Sequence, residues 1–129
     1  MPNLEITLPK QMNSHEKQNM GSALDTCFQS YAELDIGLEI LFKEYGQENI
    51  YSTADKNSIH CHLFCPRLPR KRKQALVKHM TEIVAQTYDH VIFHISEHSY
   101  DNIGVNGQLL SDMVPNCAER KFYYDLSDE

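Results

Sequence analysis

The first half of the chain alternates between apolar and polar residues and then changes period, which predicts strand, helix and strand. The alternation runs from Asn3 to Leu8, and Pro9 ends this strand because proline has no backbone N–H. A helix is predicted after Asn13, which precedes Glu16 with the spacing of a capping box. A second strand is predicted from Gly37 to Tyr45. The apolar face of the helix is formed by Met20, Ala23, Leu24, Cys27, Phe28 and Tyr31.

The second half repeats this order of elements. A strand is predicted from Ile59 to Cys65, and Pro66 ends it as Pro9 ends the first strand. Pro69 stands where a helix begins, and a strand from Val91 to Ser96 follows that helix. The apolar face of the second helix is formed by Leu76, Met80, Ile83, Val84 and Thr87.

Two consecutive β-α-β units predict an α+β fold, because each crossover makes its two strands parallel. The expected product is a four-stranded sheet with two helices on one face, followed by a C-terminal hairpin at Asn106-Gly107. Each helix has a single apolar stripe, so the helices leave the other sheet face bare, which predicts a homo-oligomer. We expect one domain over residues 1–129, with repeats at 2–46 and 58–112 and a tail at 113–129.

Composition narrows the class of protein. The 129 residues include 12 Lys and Arg against 18 Asp and Glu, a net charge of −6, which argues against nucleic-acid binding. No apolar run approaches the roughly 20 residues of a membrane span, and the N-terminus has no signal-peptide pattern. The four cysteines show no secreted-framework spacing, so we expect free thiols and a cytoplasmic location.

Pro2 carries the first candidate chemistry. Aminopeptidases remove an initial methionine when the second residue is small, so we expect Met1 to be lost and Pro2 to become a terminal secondary amine. An α-amino group titrates near ~8 and burial lowers that value, so such an amine can move protons at neutral pH.

The chain resembles the tautomerase superfamily, which includes 4-oxalocrotonate tautomerase, cis-3-chloroacrylic acid dehalogenase, malonate semialdehyde decarboxylase and macrophage migration inhibitory factor. The resemblance rests on Pro2 opening a strand, on the doubled β-α-β unit, and on the way the second repeat closes. There the last strand is followed by Glu97, by a loop and by the glycine-containing segment 102–107. The resemblance covers residues 2–112 and implies a trimer with Pro2 at the bottom of a pocket between subunits.

The resemblance also implies roles for single residues. Pro2 matches the catalytic proline. Arg67 and Arg70 resemble the arginine pair with which dehalogenase-like members hold a substrate carboxylate, a task that suits the guanidinium fork. His94 stands at a strand position from which relatives reach a neighbouring pocket, and Ile103 stands where 4-oxalocrotonate tautomerase has its pocket phenylalanine.

The implied activity is isomerisation of a small carboxylated substrate, a 2-oxo acid or a 2-hydroxydienoate, with Pro2 as general base and without a cofactor. Two alternatives stay open. Pro2 acts as general acid in dehalogenation, hydration or decarboxylation of a three-carbon acid, or the protein binds a partner without catalysis. Met12 and Ile92 replace two arginines of 4-oxalocrotonate tautomerase, so we do not expect that enzyme's diacid substrate.

A metal site is a competing interpretation of the histidine- and cysteine-rich third strand. His60 and His62 share one face of a strand, whereas Cys61 and Cys65 share the opposite face. Four ligands on opposite faces do not converge on one ion, and no second ligand pair with zinc spacing follows. We therefore expect no metal.

Overall fold

A computed structural model describes residues 2–9, 11–32, 37–54 and 58–113. The elements follow the predicted order closely. They are strand β1 (Asn3–Pro9), helix α1 (Ser14–Ala32), strands β2 (Glu39–Tyr45) and β3 (Ile59–Cys65), helix α2 (Arg70–Ala85), strand β4 (Val91–Glu97), the short strands β5 (Gly104–Val105) and β6 (Gln108–Leu109), and helix α3 (Leu110–Met113). Short 3₁₀ helices lie at Gln47–Asn49 and Tyr100–Asn102.

The four long strands form one mixed sheet in the order β2-β1-β3-β4. Strands β1 and β2 are parallel, β3 and β4 are parallel, and the central pair, β1 and β3, is antiparallel. Asn3 is paired with Phe64, and Cys65 is paired with Glu97. The start of β1 therefore lies beside the ends of β3 and β4, at one end of the sheet.

The core lies between one face of the sheet and the two long helices. Leu4, Ile6 and Leu8 of β1 are fully buried there, and burying one such side chain stabilises the fold by about 1.5–3 kcal/mol. The helices contribute the buried residues Met20, Leu24, Phe28, Leu76, Met80 and Val84. Ala23 and Thr87 were predicted on the apolar faces but are exposed. Thr87 lies beyond the end of α2 at Ala85, so it is not part of that helix face.

The two long helices begin differently. In α1 the predicted capping box is confirmed: Asn13 Oδ1 accepts the Glu16 N–H at 2.8 Å, and Glu16 Oε1 accepts the Asn13 N–H at 3.2 Å. Helix α2 follows Pro69, which provides no side-chain cap, and its first turn contains no acidic residue. Negative charge at the start of α2 therefore has to come from other elements of the fold.

The predicted hairpin is also confirmed. Asn106 has φ of 52° and Gly107 has φ of 86°, so both turn residues adopt the left-handed conformation that a tight turn between β5 and β6 requires. The predicted tail lies, after Met113, outside the described residues. Within the described ranges, no helix is long and apolar enough to cross a membrane.

The sheet face opposite the helices, here called the open face, has no covering element in the described part of the chain. Leu41 of β2 remains 48% exposed on it. This agrees with the predicted one-sided arrangement of the helices. From the strand pairing, the open face consists of Asn3, Glu5, Thr7, Glu39, Leu41, Lys43, His60, His62, Phe64, Ile92, His94 and Ser96.

Candidate functional site

A cavity of about 310 Å³ lies at the end of the sheet where β1 starts. Three segments meet there: the start of β1, the end of β3, and the loop that leads from β4 to the C-terminal hairpin. The lining residues are Asn3, Phe64, Cys65, Pro66, His98, Asn102, Ile103 and Gly104. The cavity is thus built from both repeats.

Pro2 directly precedes the cavity wall. Its neighbour Asn3 lines the cavity, whereas Pro2 is buried and its carbonyl accepts the Glu39 N–H at 3.2 Å. That hydrogen bond continues the pairing of β1 with β2 and fixes the direction in which the chain enters the sheet. Pro2 is therefore held at the cavity end of β1.

Asn3 supplies an unusual polar group to this region. Its Oδ1 is buried and accepts no hydrogen bond from any residue that the structure describes. A buried acceptor without a donor costs about 1–3 kcal/mol, so a donor from outside the described chain is favoured there. A hydroxyl group on a bound molecule, or a group from another subunit, has the required chemistry.

Arg67 lies next to the cavity, in the segment Pro66–Pro69 between β3 and α2. Pro66 lines the cavity, and Leu68 on the other side of Arg67 is 1% exposed. The Leu68 N–H donates to Glu97 Oε2 at 3.0 Å. The backbone on both sides of the predicted carboxylate-binding arginine is thereby held in place.

Arg70 has different surroundings. It is exposed and lines a shallow groove of about 430 Å³ along the outer face of α2, together with Lys73, Gln74, Val77 and Lys78. The groove is formed by a single helix and does not include the cavity lining. The structure therefore places Arg67 directly after a residue of the cavity lining, whereas Arg70 lies in a separate groove.

His94 does not line the cavity either. It is exposed near the middle of β4, paired with His62, and its ring stacks on His60 with centroids 5.8 Å apart. His62 itself bonds to Ser96 Oγ at 2.7 Å. Ile103 does line the cavity, as the resemblance implied.

Three polar cavity residues were missed by the sequence reasoning: Asn3, His98 and Asn102. His98 follows β4 directly, and its ring stacks on Phe64 with a centroid distance of 6.2 Å. The sequence signal that could have identified two of them is position, since His98 directly follows β4 and Asn102 directly precedes Ile103. That signal has meaning only once the start of β1 is known to lie beside the end of β3.

The cysteines of β3 face the core. Burial raises the pKa of Cys61 and of Cys65 to about 12, and Glu97 adds to the effect at Cys65. Both thiols stay protonated at neutral pH and are poor nucleophiles and metal ligands. His60 and His62 lie on the opposite face, and the described residues contain no group of three metal-ligating side chains close enough to hold an ion.

Comparison with known proteins finds the same fold in solved structures. The native fused 4-OT structure matches with a TM-score of 0.75 at 17% identity, covering 86% of this chain and 98% of that one. N1, a member of the cis-3-chloroacrylic acid dehalogenase family, matches with a TM-score of 0.69 at 15% identity, covering 83% and 82%. FG41 malonate semialdehyde decarboxylase, inhibited by 3-bromopropiolate, matches with a TM-score of 0.68 at 12% identity, covering 89% and 97%.

No protein-family model and no curated protein sequence matches the chain. These three matches cover 83% to 89% of this chain, and the proteins named are members of the tautomerase superfamily. The chain has the tautomerase superfamily fold, as its sequence predicted. At these identities the comparison establishes the fold alone.

Proposed function

We propose that this protein is a tautomerase-like isomerase in which Pro2, freed by loss of Met1, acts as general base on a small carboxylated substrate. The substrate class is a 2-oxo acid or a 2-hydroxydienoate. The observation that carries the proposal is the cavity at the start of β1, where Asn3 adjoins Pro2 and Pro66 adjoins Arg67.

The proposed reaction is a proton transfer. The Pro2 nitrogen takes the proton from the 2-hydroxyl group of a dienol, and the resulting negative charge spreads over the conjugated chain. The protonated nitrogen then returns the proton to a carbon, which gives the 2-oxo product. General acid–base transfer of this kind contributes about 10²–10⁴-fold to the rate.

Two neighbouring groups support this chemistry. Arg67 binds the substrate carboxylate and draws negative charge toward it, because a guanidinium keeps its charge and offers paired donors. The buried Asn3 Oδ1 accepts a hydrogen bond from a second donor, on the substrate or on a neighbouring copy, because the single proton of the 2-hydroxyl group goes to Pro2. Arg70 and His94 lie away from the cavity of their own chain, so they take part only if a neighbouring copy brings them there.

A trimer is part of the proposal. A similar solved structure is described as an F6 fused 4-OT asymmetric trimer. In this chain Asn3 and Phe64 line the cavity from the open face of the sheet, so a second copy packed on that face also closes the cavity. The open face carries Leu41, a large apolar side chain that is 48% exposed in a single copy.

Labelling by 2-oxo-3-pentynoate tests the role of Pro2. The reagent inactivates Pt0534, a protein of the same fold. Its alkyne is conjugated to a ketone, so a neutral secondary amine adds to the triple bond and its proton moves to the neighbouring carbon. We expect one equivalent of reagent on the N-terminal peptide, at Pro2, and loss of enol-to-keto activity in proportion to labelling.

The control is a protein that retains Met1, in which Pro2 is an amide without a basic nitrogen. It is expected to take up no reagent at Pro2 and to lack isomerase activity. Labelling of lysines alone in the protein that has lost Met1, with the oligomer intact, contradicts the proposal and favours a partner-binding protein.

A second candidate function keeps the same residues with Pro2 protonated. The match to the N1 dehalogenase-family structure and the Arg67-x-x-Arg70 spacing favour hydration or dehalogenation of a three-carbon acid, with Pro2 as general acid. A protonated amine does not add to the alkynyl ketone. Turnover of a 3-haloacrylate by protein that 2-oxo-3-pentynoate fails to label therefore selects this function over isomerisation.

A further inference from the structure

Glu97 makes two contacts with the segment that carries the arginines. It is the last residue of β4, and its Oε2 accepts the Leu68 N–H at 3.0 Å while its Oε1 accepts a hydrogen bond from Lys73 Nζ at 2.7 Å. The Glu97 side chain is only 25% exposed and that of Lys73 is 30% exposed. One carboxylate thus links the end of the sheet to both the Pro66–Pro69 segment and the first turn of α2.

The start of α2 needs this carboxylate. Its first turn is Arg70-Lys71-Arg72-Lys73, four cations at the positive end of a helix, and it has neither a side-chain cap nor an acidic residue of its own. Positive charges there oppose the helix dipole. Glu97 supplies the missing negative charge from a different element of the fold.

The first repeat contains a matched pair that lacks the second contact. Glu44, near the end of β2, accepts a hydrogen bond from Lys17 in the first turns of α1 through Oε1. Its Oε2 is buried and makes no hydrogen bond among the described residues. Helix α1 has its own capping box at Asn13 and Glu16, so Glu44 is not required as a cap.

The extra contact of Glu97 acts on the residue that follows Arg67. Because Leu68 is buried and bonded to Glu97, and Pro66 restricts the chain on the other side, Arg67 leaves the backbone at a fixed place beside the cavity. We propose that Glu97 is a positioning residue that aims Arg67 at the substrate carboxylate. This role rests on the proposed function, since it assumes that Arg67 binds that carboxylate.

The test is the substitution Glu97→Gln, with Glu44→Gln as the matched control. Glutamine keeps the size and a neutral acceptor, so both variants are expected to fold. Inactivation by 2-oxo-3-pentynoate separates recognition of the carboxylate, measured by KI, from the chemistry at Pro2, measured by kinact. In Glu97→Gln, KI is expected to rise about tenfold, the scale of one weakened charge-assisted hydrogen bond, with kinact unchanged.

A second reagent separates positioning from general loosening. 3-Pentyn-2-one has the same alkynyl ketone without the carboxylate, so its rate of labelling is expected to be equal in wild type, Glu97→Gln and Glu44→Gln. If Glu97→Gln slows both reagents by the same factor, the residue is only structural and the proposal is overturned. If KI for 2-oxo-3-pentynoate is unchanged in Glu97→Gln, the proposal is also overturned.

Amide hydrogen exchange gives a readout that requires no ligand. Exchange at Leu68 is expected to be faster in Glu97→Gln. Met12 lies five residues before Lys17, as Leu68 lies five residues before Lys73, and exchange at Met12 is expected to be unchanged in Glu44→Gln. Unchanged exchange at Leu68 contradicts the positioning role while leaving the proposed function intact. Failure of both reagents to label Pro2 in the wild type instead overturns the proposed function, and the positioning role with it.

Discussion

At the scale of single residues, Arg67 and Arg70 are separated by two residues in the sequence but have different surroundings. Arg67 is half-buried beside the cavity-lining Pro66, whereas Arg70 is exposed on the outer face of α2. An arginine run at the start of a helix is ordinarily a solvated surface. Here Arg67 directly follows a residue of the cavity lining, whereas Arg70 lies in a separate groove.

The first prediction compares these two arginines. Arg67→Gln is expected to lower kcat/KM on a carboxylated enol substrate about 100-fold, since hydrogen bonds to a charged group contribute about 1.5–3 kcal/mol. Arg70→Gln is expected to have the smaller effect. The measurement is kcat/KM of both variants by steady-state kinetics, with the carboxylated substrate and with its methyl ester. A larger loss for Arg70→Gln means that a neighbouring copy brings Arg70 to the substrate.

The second prediction concerns Cys61 and alkaline pH. Burial raises the pKa of Cys61 from 9.0 to about 12. Above pH 9 the unfolded chain therefore releases a proton that the folded chain keeps, and the free energy of unfolding falls as pH rises toward 12. For each such thiol the slope approaches about 1.4 kcal/mol per pH unit.

Urea unfolding of wild type and Cys61→Ala at several pH values measures this contribution. The variant is less stable at neutral pH, but its stability is expected to fall less steeply between pH 9 and 12. Cys27→Ala is the control, because Cys27 is only half-buried and contributes less to the slope. Parallel curves for wild type and Cys61→Ala contradict the prediction.

At the scale of elements, each helix has its own means of starting. Helix α1 uses the local capping box of Asn13 and Glu16, while α2 relies on Glu97 from a distant strand. A local cap is visible in the sequence as a short spacing. A carboxylate supplied from across the fold, such as Glu97 bonded to Leu68 and Lys73, is not.

The third prediction is that Asn13→Ala destabilises the protein by about 1 kcal/mol, the usual cost of losing an N-terminal cap side chain. The Asn13 side chain accepts the Glu16 N–H, and alanine leaves that donor to water. Urea unfolding monitored by circular dichroism measures the change. Gln11→Ala is the control, since Gln11 is exposed and lies outside the helix. Equal stability of the two variants means that the cap contributes nothing.

At the scale of the whole molecule, one face of the sheet packs against the core and the other is the open face. The helices cover the side that bears Leu4 and Leu63, and the described chain leaves the side that bears Leu41 and Phe64 uncovered. If copies pack on the open face, the cavity is completed by the neighbour. Activity and assembly are then linked.

The fourth prediction follows from that linkage. If the proposed trimer forms through the open face, Leu41→Glu is expected to convert it to a monomer, because a charge on that face is costly to bury between copies. Isomerase activity is expected to fall with it. Tyr51→Glu is the control, since Tyr51 is 90% exposed outside the sheet. Light scattering coupled to gel filtration gives the oligomeric state, and a trimeric Leu41→Glu protein contradicts the proposed interface.

The sequence alone determined the local structure of this protein. Alternation in β1 and β3, the prolines that follow them, the capping box at Asn13 and the turn at Asn106-Gly107 each act over a few residues, so their periods and spacings predicted the observed elements. The sequence also predicted the parallel pairing within each repeat, because a helix that connects two strands allows them to run in the same direction. Pro2 was predicted as the catalytic residue, and that role remains a prediction.

Only the tertiary structure decided which parts of the two repeats meet. The antiparallel pairing of β1 with β3 brings Asn3 to Phe64 and, through β4, to His98 and Asn102, which the sequence did not identify as cavity residues. The same packing brings Glu97 to Leu68 and separates Arg70 from the cavity. Such contacts join distant parts of the chain. They form because the whole core is buried at once, and no local period along the sequence records them.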